Sequence, residues 1–153
     1  MTDATPAQLL EDQHRRIDRG IKGIFDGSGG LAELAEALEL LRLHIHTEEA
    51  VLFPPLEAEG LTMPVFVMQR EHGLMWPLLE QLRAACAASS APESLQDDCR
   101  ELFKQLQIHN PKEEQILYTA ADRLAEEQGS DALARALAAD QVPPGWACAR
   151  APK

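Results

Sequence analysis

The chain is poor in aromatic rings, in cysteine and in positive charge, and each shortage closes off a class of protein. Aromatic residues make up 5% of the 153 positions, and no run of alternating β-branched residues speaks for a sheet. Three cysteines, an odd count without a Cys-x-x-Cys pair, do not build a disulfide framework and suit a reducing cytoplasm. Lys and Arg number 14 against 25 Asp and Glu, for a formal charge of −11. With no basic stripe, neither nucleic acid nor an anionic membrane surface is expected as a partner. No uncharged apolar run approaches the roughly 18 residues of a bilayer-spanning helix. The opening MTDATPAQLLEDQH has neither the basic start nor the apolar stretch of a signal peptide. The expectation is a cytoplasmic protein of about one domain, large enough for a real core.

What the chain does have is one phrase written twice. HIHTEEAVLF begins at residue 44 and HNPKEEQILY at residue 109, 65 positions later (109 − 44). Both read His, three residues, Glu-Glu, two residues, Leu, aromatic ring. A chain this short has little reason to repeat such a phrase unless both copies serve one job.

Leu, Ala, Glu and Gln are plentiful, which favours helix. Thr5-Pro6-Ala7-Gln8 can open a first helix with a capping box. Its apolar stripe is Leu10, His14, Ile17, Ile21 and Ile24 or Phe25, and DGSGG at 26–30 ends it. A second helix runs from about Leu31 to Glu59 with Leu34, Ala37 or Leu38, Leu41, His44, Glu48 and Val51 or Leu52 inward. EGLTMP at 59–64 breaks it. The third carries Val65, Met68, His72, Met75, Leu79, Leu82 and Cys86. After SSAP at 89–92, where Ser90 and Glu93 can form a second capping box, the fourth carries Leu95, Cys99, Leu102, Leu106, His109, Glu113, Ile116 or Leu117, Ala120 and Leu124. The expected fold is all-α: an antiparallel up-down-up-down four-helix bundle over residues 1–128. Residues 129–153 are expected to add a short extra C-terminal helix, at about 131–140, and a tail packing on or beside the bundle.

His14, His44, His72 and His109 all fall where the 3.6-residue period calls for an apolar side chain. Glu48 and Glu113 lie one turn beyond two of them on the same face. Taken singly, a His-x-x-x-Glu pair is an ordinary surface contact and a lone core histidine is satisfied by a hydrogen bond. Four in register, with two carboxylates that burial without a partner would penalise, call for cations. Six donors are too many for one tetrahedral zinc and suit two octahedral ions sharing carboxylates. Mixed imidazole and carboxylate donors favour Fe or Mn, with iron preferred.

Other residues carry further expectations. His46 lies about 200° around the helix from His44 and is expected at the surface. Glu49 and Glu114 are expected to be solvated or to support the site from outside. Tyr118 either packs or hydrogen-bonds to the site. Pro111 and Pro77 sit within helices, as harmless kinks or as devices, a π-bulge among them, that aim the neighbouring histidines. Cys86 and Cys99 read as small core residues and Cys148 as an exposed thiol. Trp146 either folds back over the bundle or marks a partner contact.

His14, HIHTEEAVLFP, REHGLMW around His72 and HNPKEEQILY, in that order over about residues 8 to 128, resemble the hemerythrin-like (HHE) domain family. The resemblance implies a non-heme di-iron centre held by His14, His44, Glu48, His72, His109 and Glu113. The two Glu would bridge two Fe ions alongside an oxo or hydroxo group, with Mn or Zn as possible substitutes. It implies a small ligand such as O2, NO or peroxide, met by a sensor, scavenger or iron-handling protein. Oxygen-carrying members have a fifth histidine one turn after the third-helix His, where this chain has Trp76. The four-His, two-Glu pattern is similar instead to di-iron proteins that repair nitrosatively damaged iron-sulfur clusters. Iron delivery of that kind, or an interaction bundle with a structural metal, are the alternatives.

Overall fold

The computed structural model describes residues 4–153 and is helical with no strand among them. The first three residues of the expected 1–128 unit lie outside the described residues. Helix α1 spans Pro6–Asp26 and α2 Leu31–Thr47; a π-helical turn, Glu48–Leu52, leads into α3, Phe53–Ala58. Helix α4 is Thr62–Ala87, and a 3-10 turn, Pro92–Leu95, opens α5, Gln96–Lys112. A second π turn, Glu113–Leu117, joins α5 to α6, Tyr118–Gln128, and α7 is Ala132–Ala139. None of these helices is long and apolar enough to cross a membrane.

The ends follow local chemistry in most places. The Thr5 hydroxyl accepts from the Gln8 N–H and the Gln8 side chain accepts from the Thr5 N–H, so the expected capping box is present. The box expected at Ser90 and Glu93 is not formed. Instead Ser89 adopts a left-handed φ of 54°, and Ser94 donates its hydroxyl to the Ala91 carbonyl inside the 3-10 turn. Pro92, at the first position of that turn, has no N–H to cap.

Helix α1 packs on α2 and α5, α2 on α4, and α4 on α5, forming a bundle with two apolar clusters. One contains Ile17, Ile21, Leu38, Leu41, Met75, Leu79, Leu102 and Leu106. The other contains Leu10, Leu52, Phe53, Leu56, Val65, Met68, Leu117 and Ala121. Along the chain each of the four histidines falls between a residue of one cluster and a residue of the other, reached after His44 and His109 in the π turns that follow. The histidines, with the buried Glu48 and Glu113, therefore form a polar layer between the two apolar clusters.

The second expected helix is not one continuous α-helix, and neither is the fourth. Both are interrupted by a π turn beginning at the glutamate of the repeated phrase. In each turn a backbone N–H reaches five residues back: Phe53 to the Glu48 carbonyl and Tyr118 to the Glu113 carbonyl. A five-residue turn brings residue i beneath i+5 rather than i+4. That is why Tyr118 and Ala121 take core positions after Glu113 and the expected Ala120 is only partly buried. Helices α4 and α5 run through Pro77 and Pro111 without ending. The π turn lies C-terminal to His109 and shifts the register only after Glu113, so it re-aims Tyr118 and not the histidine.

The C-terminal tail lies back on the bundle. Gly73 is buried, and a Cβ there would run into the Arg150 backbone carbonyl. Substituting Gly73→Ala is expected to lower unfolding stability by about 1–3 kcal/mol, as overpacking does. Urea titration would check this, and an unchanged midpoint would mean the tail yields freely.

Candidate metal centre

The six residues singled out by the repeat and the helical period meet in the polar layer, all buried. They form two groups: His14, His44, Glu48 and Glu113, and Glu48, His72, His109 and Glu113. Within each group the possible donor atoms lie within 4.8 Å of one another. The two carboxylates are common to both, and each turns one oxygen toward each group. Glu48 Oε2 is 3.4 Å from His44 Nε2, while its Oε1 is 3.1 Å from His72 Nε2. Glu113 Oε1 is 3.2 Å from His14 Nε2, while its Oε2 is 3.1 Å from His109 Nε2.

All four imidazoles are fixed from behind through Nδ1. His14 meets Glu114 at 2.7 Å, His44 meets Gln13 at 2.7 Å, His72 meets Glu49 at 2.8 Å and His109 meets Glu71 at 2.8 Å. An Nδ1–H donating outward leaves the Nε2 lone pair facing the centre, the tautomer that a metal requires. Glu49 and Glu114 thus support the site from outside, as expected. Gln13 and Glu71 were missed. Each adjoins one histidine in the chain (His14 and His72) yet serves the histidine of another helix. A polar residue next to a core histidine is the signal that could have found them. Lys112 in turn donates to Glu71.

Tyr118 is fully buried, and its hydroxyl sits within the first group. It donates toward Glu48 Oε2 at 2.6 Å and lies 3.0 and 3.1 Å from the Nε2 atoms of His14 and His44. Glu113 Oε1 is 3.3 Å away. Of the two readings open for Tyr118, the structure selects contact with the site. The equivalent residue of the other copy, Phe53, stacks on the His72 ring at 5.8 Å.

The electrostatics are those of a site built for positive charge. Burial alone would lower the His14 pKa, but the Glu113 hydrogen bond and the Glu113 and Glu48 charges lift it from 6.5 to about 9. Burial likewise opposes the charged form of His72 and His109, and the facing carboxylates again push both up. Glu48 and Glu113 go the other way: burial raises them, and the surrounding imidazoles outweigh it and hold both below the usual range. Burial, followed by the two carboxylates, pushes the Tyr118 phenol well above 10.0. Glu48 Oε1, His72 Nε2 and Glu113 Oε2 are buried without a hydrogen-bond partner. The 3.1 Å between the first two is a close approach that is not aligned as a hydrogen bond. Unpaired polar atoms at that depth are costly, and a cation facing them would satisfy all three, so the donor set fits metal.

The C-terminal tail corrects two expectations. His46 is not at the surface: its Nδ1 meets Asp140 at 2.6 Å and its ring lies edge-on to Trp146 at 4.8 Å. Helical periodicity put His46 outside the bundle, and the tail then covered that outside face. Cys148 is likewise buried, not exposed, and burial pushes its thiol up to about 11. Trp146 folds back, with its ring 5.5 Å from Trp76 and its carbonyl accepting from Arg42. The Ala149 N–H donates to Glu49 Oε1, so the tail reaches the carboxylate that holds His72. Cys99 is buried as expected, its thiol raised to about 12 by burial first and then by Cys86 and Asp98.

Residues 5–121 match the model of the hemerythrin HHE cation-binding domain. The chain belongs to this family. The matched span holds all six residues of the two groups and Tyr118. A relative from Yersinia pseudotuberculosis serotype IB (strain PB1/+), named as the iron-sulfur cluster repair protein YtfE, is 32% identical over 78 residues. That alignment takes in 49% of this chain and 35% of the relative, so the chain spans about a third of that protein's length. No solved structure matches the chain.

Proposed function

We propose that this protein is a non-heme di-iron protein that binds or reacts with oxygen, nitric oxide or peroxide, in sensing, scavenging or iron handling. The observation that carries the reading is the pair of buried His2Glu2 groups sharing both carboxylates. His14 and His44 would hold one ion, His72 and His109 the other, and Glu48 and Glu113 would bridge them. Bound iron would supply electron exchange and open coordination positions, with Mn or Zn able to occupy the same donors. Two anionic carboxylates and four neutral imidazoles leave part of the charge of two cations for an oxo, hydroxo or external ligand.

The chain's own residues do the rest. Glu49, Gln13, Glu71 and Glu114 orient the imidazoles and make Nε2 a better donor. The apolar clusters on either side of the layer exclude bulk water, and Phe53 shields the face of His72. An up-down-up-down course is supported by the order in which the helices cross the two clusters. α1 and α4 pass from the Leu10–Met68 side to the Ile17–Met75 side, and α2 and α5 pass back. The three unpaired thiols support a reducing, cytoplasmic setting.

A second reading, iron delivery in cluster repair, draws on the name of the Yersinia relative. Anaerobic loading with ferrous iron, followed by spectra in air and after removing it, separates the two. Two irons per chain with a spectrum that reverses on deoxygenation is the result expected of a binder or sensor. Irreversible oxidation would favour redox or repair chemistry. No iron uptake would overturn both.

A further inference from the structure

We infer that Tyr118 is itself a metal ligand, the fifth protein donor of the His14/His44 ion, so that the two ions are inequivalent. This rests on the di-iron reading above and deepens it.

The geometry around the phenol oxygen is the starting point. Four atoms lie 2.6–3.3 Å from it: Glu48 Oε2, His14 Nε2, His44 Nε2 and Glu113 Oε1. All four belong to the residues of the first group. A phenol O–H is a single donor and pairs with one of them at a time, whereas a cation at this point would face all four. The phenol oxygen already stands inside that ring of donors, carried there by the π turn that brings residue 118 beneath Glu113. On coordination the O–H bond is replaced by an O–metal bond and the proton leaves to solvent. No electron changes hands in that step.

The second group has no counterpart. Position 53, the equivalent of 118 in the repeat, is Phe and offers only a ring face to His72. One turn after His72 stands Trp76, which has no metal-binding atom. Of the six site residues, the buried atoms without a partner (Glu48 Oε1, His72 Nε2 and Glu113 Oε2) all belong to this group. The first ion is therefore held by five protein donors and the second by four. An external diatomic is directed to the ion of His72 and His109.

Tyr118 is the chain's one tyrosine, so a tyrosinate signal needs no mutagenesis to assign. The protein is loaded anaerobically with ferrous iron, oxidised with ferricyanide and examined by visible absorption and resonance Raman, with and without ring-deuterated tyrosine. The expected result is a phenolate-to-iron charge-transfer band whose Raman modes shift on deuteration. Tyr118→Phe should lose the band while keeping two irons, and its ferrous form should bind two nitric oxide molecules per chain where the wild type binds one. Two irons with no tyrosinate modes in the wild type would overturn the inference and leave the di-iron reading standing. No iron uptake would overturn both.

Discussion

Replacing Glu113 by alanine is expected to strip the protein of both ions, from two irons per chain to close to none. Each Glu113 oxygen faces a different group, so one substitution removes a donor from both sites and the bridge between them. His72→Ala should cost only the ion of the second group and leave about one iron, because the first group does not use that residue. His46→Ala should keep two, since its Nδ1 meets Asp140 and its ring Trp146, away from both groups. Metal analysis after desalting, with circular dichroism to confirm that each variant folds, reads out all three. Glu113→Ala retaining a full iron would mean that Glu113 bridges nothing. Equal loss from His72→Ala and His46→Ala would sink the ligand assignment.

The metal-free protein should be most stable in mildly acidic solution and should weaken as pH rises, the reverse of the loaded form. His14, His72 and His109 have folded pKa values above their unfolded ones. Their contribution is complete below about 6.5 and is lost as pH climbs through the folded values. For His14 the rise from 6.5 to about 9 corresponds to about 3 kcal/mol lost across that window. Glu48 and Glu113 are depressed, so their contribution is present above about 4.5 and disappears as pH falls through their folded values. The optimum therefore lies between roughly 4.5 and 6.5. Metal must displace the imidazole protons, so iron affinity should increase with pH over the interval in which the apoprotein weakens. Urea titrations of chelator-treated protein at pH 6 and pH 9 test the first half. A more stable apoprotein at pH 9 would mean that folding does not raise the pKa values of these histidines.

Much of this centre was legible in the chain. The four histidines and two glutamates could be named because a 3.6-residue period is a local property, and a polar side chain on an apolar stripe stands out wherever the stripe runs. The 65-residue repeat then tied two helices to one purpose, and the same period gave Leu10, Ile17, Leu41, Met68, Leu79, Leu106 and their neighbours as core.

What escaped depends on contacts between segments far apart in sequence. Gln13 and Glu71 act across helices, on His44 and His109, and no spacing within one helix reports that. Tyr118 reached the first group because a π turn shifted the register by one residue after Glu113, a change the regular period does not contain. His46 and Cys148 were misplaced for one reason. Periodicity says which face of a helix turns toward the bundle, but not that Asp140, Trp146 and Ala149 will return to cover the other face. The chain alone determined which side chains would be inside and that they would gather charge. Only the tertiary structure decided which carboxylate oxygen faces which histidine and which ring closes the first group, because those are distances between helices and not positions along one.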